Sequence, residues 1–186
     1  MGSEFVIRRL GPDEARAAVS GLADVLVDCV TGGASVSFMA PLDLGKALDF
    51  WTGVAEAVAR GERALLVAET AAEGRGPGDA GGIVGTVQVV LAQPENQPHR
   101  GDVSKLLVHR RVRGSGVGAA LMEAAEEAAR SEGKTLLVLD TASDSAERLY
   151  ARLGWTVVGT VPGYALLPDG EPCDTVFFYK RIDFTG

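Results

Sequence analysis

The segment 106–121 constrains the fold of this chain most, because an apolar strand pattern there passes through a basic, glycine-rich turn into a helix pattern. Glycines occupy positions 114, 116 and 118, and the Ala- and Glu-rich segment 119–130 follows. The first turn of a helix has unpaired N–H groups and partial positive charge, so it accepts a phosphate. Glycine can adopt positive φ, and because it has no Cβ it leaves room for a bound ligand. The segment predicts an anion site with charges from Arg110, Arg111 and Arg113; the alternative is a basic turn that only caps the helix.

A second strand pattern follows this helix. Residues 134–140 contain Leu136-Leu137-Val138-Leu139, an unbroken apolar run typical of a strand buried on both faces. Strand, turn, helix and strand make a βαβ unit, which predicts two parallel strands joined by a right-handed crossover.

The rest of the chain predicts an α/β (α+β) fold, with a mixed sheet of about six or seven strands and helices on both faces. The N-terminal part is antiparallel, since the strands at 63–69 and 83–92 form a hairpin around a Gly-rich turn at 70–82. The other expected elements are strands at 5–10, 155–161 and 175–182, helices at 13–30, 43–59 and 145–153, and a connecting loop at 162–174. We expect a single domain over residues 5–185, and residues 1–4 are typical of a cloning remnant.

Composition narrows the classes of function. The net charge of -7 argues against nonspecific nucleic-acid binding. Cys29 and Cys173 match no metal spacing, so we expect no metal and two free thiols in a reducing compartment. No apolar run reaches the roughly 18 residues of a membrane helix, and the start lacks a signal-peptide pattern. These features favour a cytoplasmic protein with no nucleic-acid or membrane partner. The oligomeric state, monomer or homodimer, does not follow from them.

One alternative for the glycine turn is a dinucleotide site. Gly114-x-Gly116-x-x-Ala119 satisfies that fingerprint, and Asp140 ends the next strand where a ribose-binding acid would lie. A Rossmann domain needs further parallel strands, however, and only about 45 residues follow Asp140. We therefore disfavour a dinucleotide.

Two motifs resemble the GNAT family of N-acetyltransferases. Leu106-x-Val108-x-Arg110-x-x-Arg113-Gly114-x-Gly116-x-Gly118 is similar to its cofactor signature, and 146–155 (AERLYARLGW) is similar to its A-x-x-L-Y-x-x-x-G-F segment. Two positions depart from the pattern: Arg110 replaces a frequent Pro, and Ser143 replaces a frequent Asn. The resemblance implies acetyl-CoA as the cofactor. The residues it implies for cofactor binding are Leu106, Leu107, Val108, Arg113, Gly114, Ser115, Gly116, Val117, Gly118, Ala119, Ser143, Ala146 and Tyr150.

Amine acetylation needs a base, a proton donor and a group that stabilises the oxyanion. Asp102 precedes Arg113 by eleven residues, the offset at which some family members carry a general-base Glu. Asp140 ends the adjacent parallel strand, where ligands of open α/β sheets gather. The resemblance places Tyr150 near the coenzyme sulfur, where its hydroxyl could protonate the leaving thiolate. A backbone N–H near Leu107 or Val108 would polarise the thioester. The alternatives are a surface acid at 102, a helix cap at 140 and a core tyrosine at 150.

The loops 32–40 and 162–174 are expected to determine the acetyl acceptor. Candidate substrate-binding residues are Ser35, Phe38, Met39, Asp102, Asp140 and Tyr164. The resemblance implies a small-molecule amine, and we expect a toxin or antibiotic in a resistance role. A peptide or protein amine is the second possibility, and a domain that only senses acetyl-CoA is the third.

Overall fold

The computed structural model describes residues 5–70 and 82–182. One seven-stranded sheet runs through it in the order β1-β2-β3-β4-β5-β7-β6. The strands are β1 (Phe5–Arg9), β2 (Arg63–Thr70), β3 (Ile83–Val90), β4 (Arg100–Val108), β5 (Leu136–Thr141), β6 (Thr156–Leu166) and β7 (Pro172–Arg181). The predicted hairpin is confirmed as β2 and β3, and β4 and β5 are the predicted parallel pair. The cloning remnant at 1–4, nearly all of the turn at 70–82 and the domain end at 183–185 lie outside the described residues.

The described residues form five α-helices, and these cover both faces of the sheet, which confirms the predicted placement of helices on both faces. They are α1 (Pro12–Ala17), α2 (Val19–Thr31), α3 (Leu44–Ala59), α4 (Val117–Ser131) and α5 (Asp144–Arg152). The alternation of β2 shows the two layers, because Leu65 and Val67 pack with α2 and α3 whereas Leu66 and Ala68 pack with α4. No helix in the ranges described above is both long and apolar enough to cross a membrane.

The parallel pair is short, and this positions the functional site. β4 and β5 pair only at Arg100 with Leu136, Gly101 with Leu137 and Asp102 with Val138. Beyond Asp102, β4 continues beside β3 through an irregularity in register, while β5 continues beside β7. The two central strands therefore separate towards their carboxyl ends.

The prediction of one helix at 13–30 is wrong. The structure has two helices, and the chain turns between them at Ala18, whose ψ of -9° lies outside the helical value. Ala15, Ala18 and Leu22 are all buried, so both helices bury the same side of the chain. The apolar spacing therefore continues across the break and hides it.

The prediction of a long loop at 162–174 is also wrong. β6 extends to Leu166 and β7 begins at Pro172, which leaves a turn of only a few residues. β6 is the last strand of the sheet, so Pro162 lies on an edge strand, where a missing N–H is tolerated. Gly163 has a φ of +59° within a register shift between Val161 and Ala165. In β6, therefore, residues that are typical of loops form part of a bulged edge strand.

Candidate functional site

A central cavity of about 1120 Å³ opens where β4 and β5 separate. The second half of β4 and the end of β5 line it, together with the start of α4, one side of α5, the loop after α2 and the β6–β7 hairpin. Such a position, at the carboxyl ends of parallel strands, is where open α/β sheets bind ligands.

The glycine loop (residues 113–119) forms one end of the central cavity. Gly114 and Gly116 have φ values of +80° and +90°, and a Cβ at either position would meet no atom within 4 Å. Gly116 is the N-cap of α4, and no side chain of the described residues caps this helix. Gly118 is helical instead, and a Cβ there would lie 3.4 Å from Leu149. Unpaired N–H groups beside open space suit the diphosphate of coenzyme A.

The three arginines of the turn do not act together. Arg110 turns away from the central cavity, because its Nε and its backbone N–H both donate to the carboxylate of Asp28, each at 2.9 Å. Burial acts to raise the pKa of Asp28, but these hydrogen bonds outweigh it and lower the pKa below the usual range. Arg113 lines the cavity, and its Nε donates to the carbonyl of Val108 at 3.2 Å. Arg111 is exposed and lies outside the lining. Of the three arginines predicted to supply charge to the anion site, only Arg113 lies at the cavity wall.

The two candidate carboxylates are placed differently. Asp140 lines the central cavity, where burial raises its pKa and the cation of Lys105 partly opposes the rise. Asp102 lies outside the lining, and its carboxylate pairs with Arg100 Nε at 3.0 Å. By register, Asp102 lies beside Val138 on the same face as Asp140, but the structure does not bring the two carboxylates together in the cavity.

Tyr150 belongs to both the core and the cavity lining. Its ring packs against Trp155 and Phe178, with centroids 6.0 Å and 5.5 Å away, and only 5% of the residue is exposed. Burial, and then the charge of Asp140, raise the pKa of its hydroxyl, so the hydroxyl stays protonated at neutral pH. A position in the core and a position in the wall of the ligand cavity are therefore compatible for this tyrosine.

Most of the predicted binding residues line the central cavity. One exception is Ser115, whose hydroxyl donates to the carbonyl of Val112 at 2.6 Å. The hydroxyl of Ser143 accepts from the N–H of Ala146 and caps α5. The predicted residues in the lining are Ser35, Phe38, Met39, Leu106, Leu107, Val108, Arg113, Gly114, Gly116, Val117, Gly118, Ala119, Asp140, Ser143, Ala146, Tyr150 and Tyr164.

The two expected specificity segments meet at the cavity. Ser35 Oγ donates to the carbonyl of Leu166 at 3.2 Å, and the N–H of Ala40 donates to the carbonyl of Pro168 at 2.9 Å. The loop after α2 and the β6–β7 hairpin therefore form one continuous wall.

Lys105 is a lining residue that was not among the predicted site residues. Its Nζ lies 3.0 Å from Ser37 Oγ and 5.7 Å from the ring centroid of Phe50. Burial lowers its pKa, and the negative charge of Asp140 opposes this. The available signal was a lysine within the otherwise apolar end of β4, but its direction depends on the irregular register at that point.

Comparison with known proteins agrees with this geometry. A model of the acetyltransferase (GNAT) family matches residues 45–155. The fold is similar to YncA of Salmonella typhimurium, solved with its cofactor acetyl-CoA (20% identity, TM-score 0.74, covering 98% of this chain and 96% of that one). It is also similar to the ribosomal-protein-alanine N-acetyltransferase of Brucella melitensis (23%, 0.74, 95% and 99%). A third similar structure is a phosphinothricin acetyltransferase of Sinorhizobium meliloti in complex with acetyl-CoA (16%, 0.74, 98% and 89%). The family match spans more than half of the sequence, and the chain therefore belongs to the acetyltransferase (GNAT) family, whose enzymes use acetyl-CoA.

Proposed function

We propose that residues 5–185 form a single N-acetyltransferase domain that transfers an acetyl group directly from acetyl-CoA to the amine of a small toxin or antibiotic. The observation that carries this proposal is that Asp140 and Tyr150 line the same cavity as the glycine loop. The free thiols of Cys29 and Cys173 suit the reducing cytoplasm, where we expect the enzyme to act.

The glycine loop is assigned to the coenzyme diphosphate. Backbone N–H groups at the start of α4 donate to it, with Gly114 and Gly116 allowing close approach and Arg113 adding positive charge. Acetyl-CoA, when bound, supplies the acetyl group as a reactive thioester.

Asp140 is assigned as the acceptor-binding base. It holds the ammonium and takes a proton from it, directly or through one water, and its raised pKa makes it a stronger base than an ordinary aspartate. We do not extend this role to Asp102, because its carboxylate is paired with Arg100 outside the cavity.

Tyr150 and the β4 backbone complete the assignment. The Tyr150 hydroxyl is protonated at neutral pH and donates a proton to the departing thiolate. A backbone N–H near Leu107 or Val108 is assigned to the carbonyl oxygen, at the part of β4 that has left β5.

The proposed acceptor is a β-lactam amino acid of the tabtoxin type. Several segments resemble the tabtoxin resistance protein, which acetylates and disarms such a toxin. Those at the cavity wall are Gly32-Gly33-Ala34-Ser35-Val36, Phe38-Met39, Lys105-Leu106, Leu139-Asp140-Thr141 and Tyr164. The resemblance thus concentrates where an acceptor would bind.

A thiol-release assay with acetyl-CoA tests the proposal. The acceptors are β-lactam amino acids, aminoglycosides, streptothricin-like compounds and peptides. We expect turnover with a small-molecule amine. Turnover of peptides alone supports a polypeptide acceptor, and acetyl-CoA binding by calorimetry without turnover of any acceptor supports a sensor; either result contradicts the proposal.

A further inference from the structure

The acceptor side of the central cavity has one negative and one positive side chain facing it. Asp140 lies at the end of β5 and Lys105 on the separated half of β4. They influence each other's pKa, yet they form no ion pair within 4 Å. The other lining cations, Arg113, Arg148 and Arg152, come from the glycine loop and α5.

The backbone around Lys105 is unusual. Among the described residues, Ser37 (φ 74°) and Lys105 (φ 54°) are the non-glycine residues with positive φ. They come from different segments, and the Lys105 ammonium donates to the Ser37 hydroxyl at 3.0 Å. Backbone conformations of this kind cost free energy and concentrate at ligand-binding positions. Two strained residues therefore meet at one hydrogen bond in the cavity wall.

The Lys105 ammonium has no carboxylate at ion-pair distance, although the charge of Asp140 acts on it from farther away. No carboxylate of residues 5–70 or 82–182 forms an ion pair with its Nζ, which contacts the neutral hydroxyl of Ser37 and the ring of Phe50. The residue is partly buried, so its ammonium is partly desolvated without a carboxylate beside it, and a bound anion offsets that cost. The cavity is open to such an anion.

We propose that Lys105 binds the carboxylate of the acetyl acceptor, so that the acceptor is a free amino acid or amino-acid analogue whose ammonium meets Asp140. This inference rests on the proposed function. It makes Lys105 a specificity-determining residue and excludes amines without a carboxylate from efficient turnover.

Paired acceptors test the inference in the wild-type enzyme. Thiol release is measured with β-lactam amino acids, phosphinothricin and free L-amino acids, each beside its carboxamide. We expect the KM of an acid to be about 10- to 100-fold lower than that of its amide, the range expected for a hydrogen bond to a charged group.

Lys105→Met removes the charge and keeps the length of the side chain. We expect it to raise the KM of the acids about 10- to 100-fold, with little change in kcat and no change for the amides, because the lost interaction is the same in ground state and transition state. Lys105→Arg is expected to restore part of the preference. Lys46→Met is the matched control, since Lys46 also lies over an aromatic ring, Phe38 at 5.8 Å, but outside the cavity.

The outcomes separate the two proposals. Equal KM values for acid and amide in the wild type, or an equal loss for both in the Lys105→Met variant, overturn the role of Lys105 and leave the acetyltransferase proposal intact. Absence of turnover with every amine, while acetyl-CoA still binds, overturns the proposed function and this inference with it.

Discussion

Replacing Gly116 with alanine separates the two reasons for a glycine in the glycine loop. The first is backbone conformation, because at a φ of +90° any other L-residue is strained by about 1–2 kcal/mol. The second is space, because a Cβ there would meet no protein atom within 4 Å and would lie where we place the diphosphate. Gly133, at the other end of α4, has a φ of +75° and also an open Cβ position, but it lies outside the central cavity. Gly133→Ala is therefore a matched control.

The two substitutions are expected to affect stability alike and cofactor binding differently. Each should lower the free energy of unfolding by about 1 kcal/mol, since the strain is partly offset by the reduced entropy of the unfolded chain. In Gly116→Ala, losing one charge-assisted hydrogen bond to the diphosphate costs about 1.5–3 kcal/mol, or roughly 10- to 100-fold in Kd.

Calorimetry and thermal unfolding with acetyl-CoA measure the difference. At a ligand concentration of about 100 Kd, the wild type and Gly133→Ala gain about 2.7 kcal/mol from the ligand. A 100-fold weaker Kd reduces this gain to about 0.4 kcal/mol in Gly116→Ala. Equal Kd values for the two variants would refute the assignment of the diphosphate to this loop.

Three further predictions concern the catalytic side chains and the fold. Asp140→Asn is expected to lower kcat/KM by about 10²–10⁴-fold. In the wild type kcat/KM should rise with pH through the raised pKa of Asp140, and the variant should lose this pH dependence. At neutral pH the variant should be at least as stable as the wild type, because a carboxylate whose pKa is raised in the folded state destabilises that state when it is charged. Asp24→Asn, on the exposed side of α2, is its control, and unchanged activity in Asp140→Asn contradicts the assignment. Tyr150→Phe should lower kcat more than tenfold at nearly unchanged Tm, because the ring contacts persist; an unchanged kcat excludes the tyrosine as proton donor. Glu126→Ala should lower the free energy of unfolding by about 3–5 kcal/mol, because Lys180 loses its carboxylate partner at 2.8 Å and keeps only the carbonyl of Leu153. The folded variant should keep its Kd for acetyl-CoA; urea unfolding tests the first expectation and calorimetry the second.

The βαβ unit was predictable because its signals are local. The apolar run of β5 and the glycines before α4 fix strand, turn and helix within about 35 residues, and the structure confirms the parallel pair. The edge strand β6 was not predictable in this way. Pro162 and Gly163 are typical of a loop, and only the pairing of β6 with β7 makes them part of a strand.

The sequence predicted most of the residues that line the cavity, but it did not predict on which side of β4 the polar side chains lie. A period of two along β4 would assign faces to Asp102 and Lys105, but the register shift opposite Thr86 and Gln88 interrupts that period. Asp102 lies before the shift and pairs with Arg100, two residues earlier on the same face, whereas Lys105 lies at the shift and lines the cavity. A positive φ at a lysine has no sequence signature, so the position of Lys105 in the cavity wall became visible only in three dimensions.

The three residue pairs between β4 and β5 have a mechanical consequence. In the described sheet, strands β1 to β4 pair with strands β5 to β7 only through these three pairs, with His99 accepting from the N–H groups of Thr135 and Leu136 beside them. The two halves of the sheet are therefore joined at one end of the boundary between β4 and β5. A ligand that fills the cavity between the separated ends of β4 and β5 contacts both halves of the sheet and links them there. Its binding free energy therefore adds to the cohesion of the whole sheet, and backbone amides along the open half of β4 should exchange with solvent more slowly when the cavity is filled.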